Sequence, residues 1–144
     1  VEYNMKTLKE TTQWAYRFSE QKPRRGLVAL LALKKGVFLS LERGYTPPQT
    51  IYAEIYKVDF SKATDIKALP SLKKQKVVEC EKKLVFDLNQ IEKKLKNIRR
   101  LDNLEGLALG PKNPAGWRWL LVVADNNFRS EQHNQFLVFK AHLD

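Results

Sequence analysis

An all-β fold of antiparallel sheets is what this sequence predicts, on three observations. Short apolar runs are rich in β-branched and aromatic residues, turn residues separate them, and a helical apolar period is nearly absent. The 144 residues, 43% of them hydrophobic, suit one globular domain or part of a larger one.

The elements follow in order. Residues 1–5 and 13–19 read as two outlying strands, and Pro23 marks the break after them. Residues 26–33 and 37–43 form a hairpin around Gly36, and residues 50–58 return after Gly44 and Pro47-Pro48. Beyond Pro70, residues 83–88 supply a fourth strand. A short helix is expected near 89–97, where Asn89 is placed to cap and Ile91, Leu95 and Ile98 share one face. The last three strands are residues 104–109, 118–125 and 135–141, the first two separated by Pro111 through Gly116.

A weak internal repeat organises these strands. The hairpin of Gly26-Leu27-Val28-Ala29-Leu30-Leu31-Ala32-Leu33 with Val37-Phe38-Leu39-Ser40-Leu41-Glu42 resembles that of Gly106-Leu107-Ala108-Leu109 with Trp119-Leu120-Leu121-Val122-Val123-Ala124-Asp125. Each ends on an acidic residue, and a third strand follows each. Repeated antiparallel units of about four strands are the pattern of β-propeller blades. The chain therefore reads as a partial β-propeller of about two and a half blades, short of the roughly four that a closed ring needs. Residues 1–20 would be outer strands of a preceding blade, 25–88 one full blade and 101–144 an incomplete last blade. The last unit lacks a fourth strand, so an N-terminal segment of a longer protein is expected to close the ring; Val1-Glu2-Tyr3-Asn4-Met5, with neither an initiator methionine nor a signal-peptide pattern, reads as a cut into that protein.

Charge and cysteine content narrow the function classes. The net charge is +10, and residues 61–100 carry most of it, with 12 Lys and Arg against 5 Asp and Glu. No aromatic residues are interleaved there as a base-stacking surface requires, so the segment reads as a solvated basic connection and nucleic acid is not the expected partner. Cys80 is the single cysteine, which removes any disulfide within the chain and reads as an inert, partly buried thiol. No run approaches the roughly 18 apolar residues of a membrane span. Open sheet edges are pairing hazards, so a homodimer formed through them is expected.

Candidate functional residues gather at strand ends. Glu42 and Asp125 leave the second strands of the two repeats, and Glu105 enters the first strand of the last unit. Calcium takes several carboxylate and carbonyl oxygens, which Glu42, Glu105 and Asp125, supplemented by Asp102, Asn103 and Asn126, could provide. Arg43 and Asn127 are weaker candidates for holding a substrate anion. The alternative is structural: the acids bond to backbone N–H groups, Glu42 pairs with Arg43, and Asn126-Asn127 take left-handed turns. Nucleophilic catalysis has no Gly-x-Ser-x-Gly element, and the two histidines, His133 and His142, lie in a polar loop and near the terminus. Zinc spacing and phosphate-binding glycine loops are absent, and no organic cofactor is expected. Trp14, Trp117 and Trp119 read as packing or rim aromatics.

From Arg25 onward the chain resembles the C-terminal portion of the phytase-like proteins described by esterase-like activity. The resemblance rests on Leu39-Ser40-Leu41-Glu42-Arg43, Ile55-Tyr56-Lys57-Val58-Asp59, Ala63-Thr64-Asp65, Asp102-Asn103-Leu104-Glu105-Gly106-Leu107-Ala108-Leu109-Gly110-Pro111, Ala124-Asp125-Asn126-Asn127-Phe128 and Gln135-Phe136-Leu137. It implies a secreted or periplasmic propeller and a divalent-cation-dependent hydrolase of phosphate esters. Activity would need the rest of the ring. The competing expectation is a non-catalytic extracytoplasmic binding or scaffold propeller.

Overall fold

A computed structural model describes residues 1–19, 25–46, 50–94 and 100–143. Pro23, Pro47, Pro48, Leu95 and Ile98, on which some turn and helix expectations rest, lie outside them. The described strands are β1 (Glu2–Tyr3), β2 (Glu10–Thr12), β3 (Arg25–Lys34), β4 (Val37–Thr46), β5 (Thr50–Asp59), β6 (Glu81–Asp87), β7 (Leu104–Leu109), β8 (Arg118–Ala124) and β9 (Gln135–Ala141). One short helix, α1 (Asn89–Glu92), follows β6.

The strands form three antiparallel sheets in the orders β1-β2, β3-β4-β5-β6 and β7-β8-β9. The fold is all-β, and its two larger sheets are up-and-down meanders stacked as successive blades of an incomplete propeller. The period of two in the sequence drives that stacking. Leu39, Leu41, Ala53 and Ile55 of the four-stranded sheet meet Leu104, Leu120, Val122, Ala124 and Leu137 of the three-stranded one in a single core. Leu88 and Ile91 close it at the helix, and β7 lies against β3 and β4. Fully burying a side chain such as Leu39 or Leu41 contributes about 1.5–3 kcal/mol, so this core holds the two sheets in a fixed relation.

Three local expectations are corrected. Residues 13–19 form no strand. Their backbone groups bond to a neighbouring loop instead: the Gln13 carbonyl accepts from the Ile66 N–H at 2.8 Å, and the Gln13 N–H donates to Asp65 Oδ1 at 3.1 Å. Asn89 does not cap α1, because the cap position is Leu88 and Asn89 is the first helical residue. Its N–H and side-chain amide both donate to Asp87 Oδ1, so Asp87 holds this turn. The third concerns the repeat.

Both first strands carry a one-residue bulge. Leu27 pairs with Glu42 and Ala29 with Leu41, leaving Val28 extra; Leu104 pairs with Ala124 and Gly106 with Val123, leaving Glu105 extra. Matching the bulges makes Ala124 the counterpart of Glu42, and Asp125 the counterpart of Arg43. Apolar runs alone align Glu42 with Asp125. The one-residue difference matters because successive residues of a strand point to opposite faces.

Candidate functional site

Alternation along β4 separates Glu42 from the other candidate acids. Leu39 and Leu41 point into the core shared with the last sheet, so Ser40 and Glu42 point the other way, toward residues 13–19. There Glu42 is fully buried and its oxygens are taken up by protein donors. Tyr16 donates to Oε1 at 2.7 Å, Lys82 Nζ to Oε1 at 2.5 Å, and Arg25 Nη1 to Oε2. Because the Tyr16 proton goes to Glu42, Ser40 Oγ–H is left to donate to the Tyr16 oxygen at 2.9 Å.

A second carboxylate completes this buried cluster. Glu54 lies directly across from Glu42 on β5, a like-charge pairing that would be unfavourable by itself. Arg25 offsets it by bridging the two, donating through Nη2 to Glu54 Oε2 at 2.6 Å, where Tyr56 also donates at 2.6 Å. Arg25 sits 5.1 Å from the Tyr52 ring centroid, and Lys82 Nζ lies 4.4 Å from that of Tyr56. Burial pushes the Glu42 carboxyl up, but hydrogen bonds from Lys82, Tyr16 and Arg25 outweigh it and hold the group below its ordinary value. Burial also raises the Tyr16 hydroxyl well above the ordinary tyrosine value, so it stays a neutral donor.

Sequence reading missed most of this cluster, and treated Lys82 as part of a solvated basic run. Its side chain is only 15% exposed. The available signal was the period of two, which puts Ser40 and Glu42 of β4 on one face of the sheet; Glu54, Tyr56 and Lys82 join them there through register and hydrogen bonds.

The opposite face of the same sheet carries the other constellation. Arg43 points toward the last sheet, where Nη1 donates to Asn103 Oδ1 and Nη2 lies 3.6 Å from Glu105 Oε1. Asn103 Nδ2 donates in turn to Glu105 Oε1. The bulge in β7 brings Glu105 to this position at the strand entrance, beside the exit of β4. Arg43 is 23% exposed and Glu105 40%, so both reach solvent. Arg43 Nε is nevertheless buried and meets no acceptor, and the same holds for Arg25 Nε on the other face of the sheet.

Neighbouring candidates play local roles. Asp102 is buried and accepts from the Asn103 N–H at 2.8 Å and the His133 N–H at 2.7 Å, tying the entrance of β7 to the loop before β9. His133 itself is exposed. Asp125 is exposed just beyond Ala124, and its carboxylate makes no hydrogen bond to the described residues. Asn126 Oδ1 accepts from the Phe128 N–H at 3.1 Å, and the left-handed pair expected at Asn126-Asn127 falls one residue later, on Asn127 at φ 50° and Phe128 at φ 57°. Trp14 packs on Phe60, while Trp117 and Trp119 stack edge to face, 4.9 Å apart, beneath Lys140.

The fit to calcium can be tested on this geometry. Glu42 does not fit, since Arg25, Lys82 and Tyr16 already saturate it. Among the described residues no group of three His, Cys, Asp or Glu side chains is placed to hold a metal ion. Glu105 and Asp125 are the accessible carboxylates left at this rim, fewer donors than the six to eight oxygens calcium takes.

A family model described as "Phytase-like: Esterase-like activity of phytase" matches residues 1–128. The match takes in β1, β2 and residues 13–19, ahead of where the resemblance was read, and stops before β9. No curated protein and no solved structure matches the chain.

Proposed function

Since the chain belongs to the phytase-like family described by esterase-like activity, we propose that it forms part of an extracytoplasmic hydrolase of phosphate esters working at the Arg43–Asn103–Glu105 rim. The observation that carries this reading is the state of Arg43. A partly exposed guanidinium, oriented by an amide and a carboxylate at a solvent-reaching rim, is suited to receive phosphate oxygens.

Glu105 supplies the complementary group. Its carboxylate is accessible and would take a proton from water as that water's oxygen bonds to phosphorus and the ester P–O bond breaks; solvent would protonate the departing alkoxide. Asn103 positions both side chains through its amide. A divalent cation would find only Glu105 and Asp125 as carboxylate donors among the described residues of this rim, and would take its remaining oxygens from water and the bound ester.

The test is hydrolysis of p-nitrophenyl phosphate by the full-length protein, with calcium and with chelator, alongside thermal unfolding of the same samples. Arg43→Gln and Glu105→Gln are each expected to lower turnover by about 100-fold or more. Turnover that survives both substitutions would remove the rim from the chemistry. Saturable ester binding without turnover would leave the non-catalytic binding propeller as the function. An unfolding midpoint indifferent to calcium would remove the cation.

A further inference from the structure

A second site lies at the other end of the strands. Between the β3–β4 turn and the start of β8, a cavity of about 220 Å³ opens among Leu33, Val37, Leu143, Lys34, Lys57 and Arg118. Val37 and Arg43 are six residues apart on β4, so about 20 Å of strand separates this cavity from the rim described above. All three charged side chains that line it are cations.

None of the three forms a salt bridge among the described residues. Lys34 and Arg118 take part in no ion pair, and Lys57 Nζ makes only a 3.5 Å contact to the Leu143 carbonyl. Asp59, the cross-strand partner of Val37, accepts the Ser61 N–H at 2.8 Å, and Ser61 together with the nearby charges of Lys34 and Lys62 holds its carboxyl below the ordinary value without a salt bridge to Lys34. The cations come from different elements, β3, β5 and β8, and the packed core fixes their spacing. They also lie outside the lysine-rich 61–100 stretch that dominates the charge of the chain.

We propose that this cavity binds a small phosphate or phosphomonoester, independently of the Arg43 rim. Three cations match a ligand carrying up to two negative charges, and the Arg118 guanidinium suits a bidentate pair of phosphate oxygens. Size sets the upper limit. At about 30 Å³ per water, 220 Å³ displaces roughly seven waters, below the 300–1,000 Å³ of sites for drug-sized ligands. Leu33, Val37 and Leu143 leave apolar wall for a short carbon skeleton on the phosphate.

The experiment is calorimetric titration of inorganic phosphate into the full chain at low salt, with circular dichroism confirming that each variant is folded. Saturable binding is expected, weakened about tenfold or more in Lys34→Gln/Arg118→Gln and in the single variant Lys34→Gln, an exposed site at the end of β3 where the substitution removes no buried contact. Lys73→Gln/Lys74→Gln, in the exposed basic loop, should leave affinity within about twofold. Equal loss in that loop variant would show non-specific charge attraction and overturn the proposal. So would binding abolished by Arg43→Gln but untouched at Lys34 and Arg118, which would assign phosphate to the rim. Binding that persists in Arg43→Gln, together with absent hydrolysis, would leave this site standing while the proposed activity failed. No saturable binding at all would overturn it outright.

Discussion

Replacing Glu42 by glutamine is the sharpest test of the buried cluster. The substitution keeps the volume and one acceptor oxygen, but removes the charge and turns an amide N–H₂ toward cationic donors. Breaking a buried ion pair by removing one partner costs about 3–5 kcal/mol, because the other charge is left uncompensated. The lower end applies here. Arg25 keeps Glu54 at 2.6 Å, and Lys82 keeps the Arg17 carbonyl at 2.9 Å.

A loss of about 3 kcal/mol is a large share of the 5–15 kcal/mol that holds a typical domain folded. With a urea m-value of about 2 kcal/mol/M, the unfolding midpoint should fall by about 1.5 M. Lys82→Met combined with Glu42→Gln should cost less than the sum of the two single changes by at least about 1 kcal/mol, since the pair is in direct contact. A Glu42→Gln loss under about 1 kcal/mol, or strict additivity, would refute the argument that this carboxylate anchors residues 13–19 to the sheet. Acid should expose the same anchor. The folded-state value of Glu42 lies below the ordinary 4.5, so its contribution is complete above about pH 4.5 and disappears as pH falls through the lower folded value. The acid limb of an unfolding-midpoint profile should therefore be shallower in Glu42→Gln than in the wild type.

Other outcomes follow from single contacts. A Cβ on Gly106 would meet Val123 Cγ2 at 2.7 Å, so Gly106→Ala should cost about 1–3 kcal/mol of overpacking, read by thermal unfolding, whereas Gly116→Ala, whose Cβ meets nothing, would lose only through its positive φ. Cys80 should react slowly with a thiol reagent at pH 7 compared with a free thiol, because burial raises it above the ordinary value; a rate equal to that of free cysteine would contradict its environment. If the chain self-associates, β9 is the expected seam: Phe136 and Val138 are 71% and 56% exposed there, more than Leu84, Val85 and Phe86 of the outer strand β6, which also carries the exposed charges of Glu81 and Lys83. Phe136→Lys should then shift sedimentation toward monomer and remove the concentration dependence of the unfolding midpoint.

Strand identity was legible because alternating apolar residues are a direct record of a buried face. β7 and β9 begin and end where the sequence places them, and β3 through β6 and β8 agree to within a few residues. The failures share a cause in groups that are satisfied from outside their own segment. Residues 13–19 have the composition of a strand, yet Asp65, Ile66 and Glu42 take their polar groups, and nothing local announces those partners. Among the site candidates, Arg43 and Glu42 are adjacent in sequence and were allowed to pair, although period two sends them to opposite faces of β4. Glu105 and Asn103 were legible as candidates by type; their connection to Arg43 needed the stacking of one sheet on the next.

The bulges show how one backbone plan serves two purposes. In β3 the extra residue is Val28, which packs against the shared core; in β7 the extra residue is Glu105, which reaches Arg43 and Asn103. A bulge re-aims a side chain without dismantling the ladder on either side, so the same irregularity can close a core or direct a carboxylate to a rim. The closest contact of a Cβ on Gly106 falls on Val123, its cross-strand partner, so the small residue beside Glu105 is what lets β7 lie against β8 at the bulge. The Glu-Gly pair thus joins backbone accommodation to chemistry. Its glycine accommodates the bulge, and its glutamate occupies the position that the bulge creates.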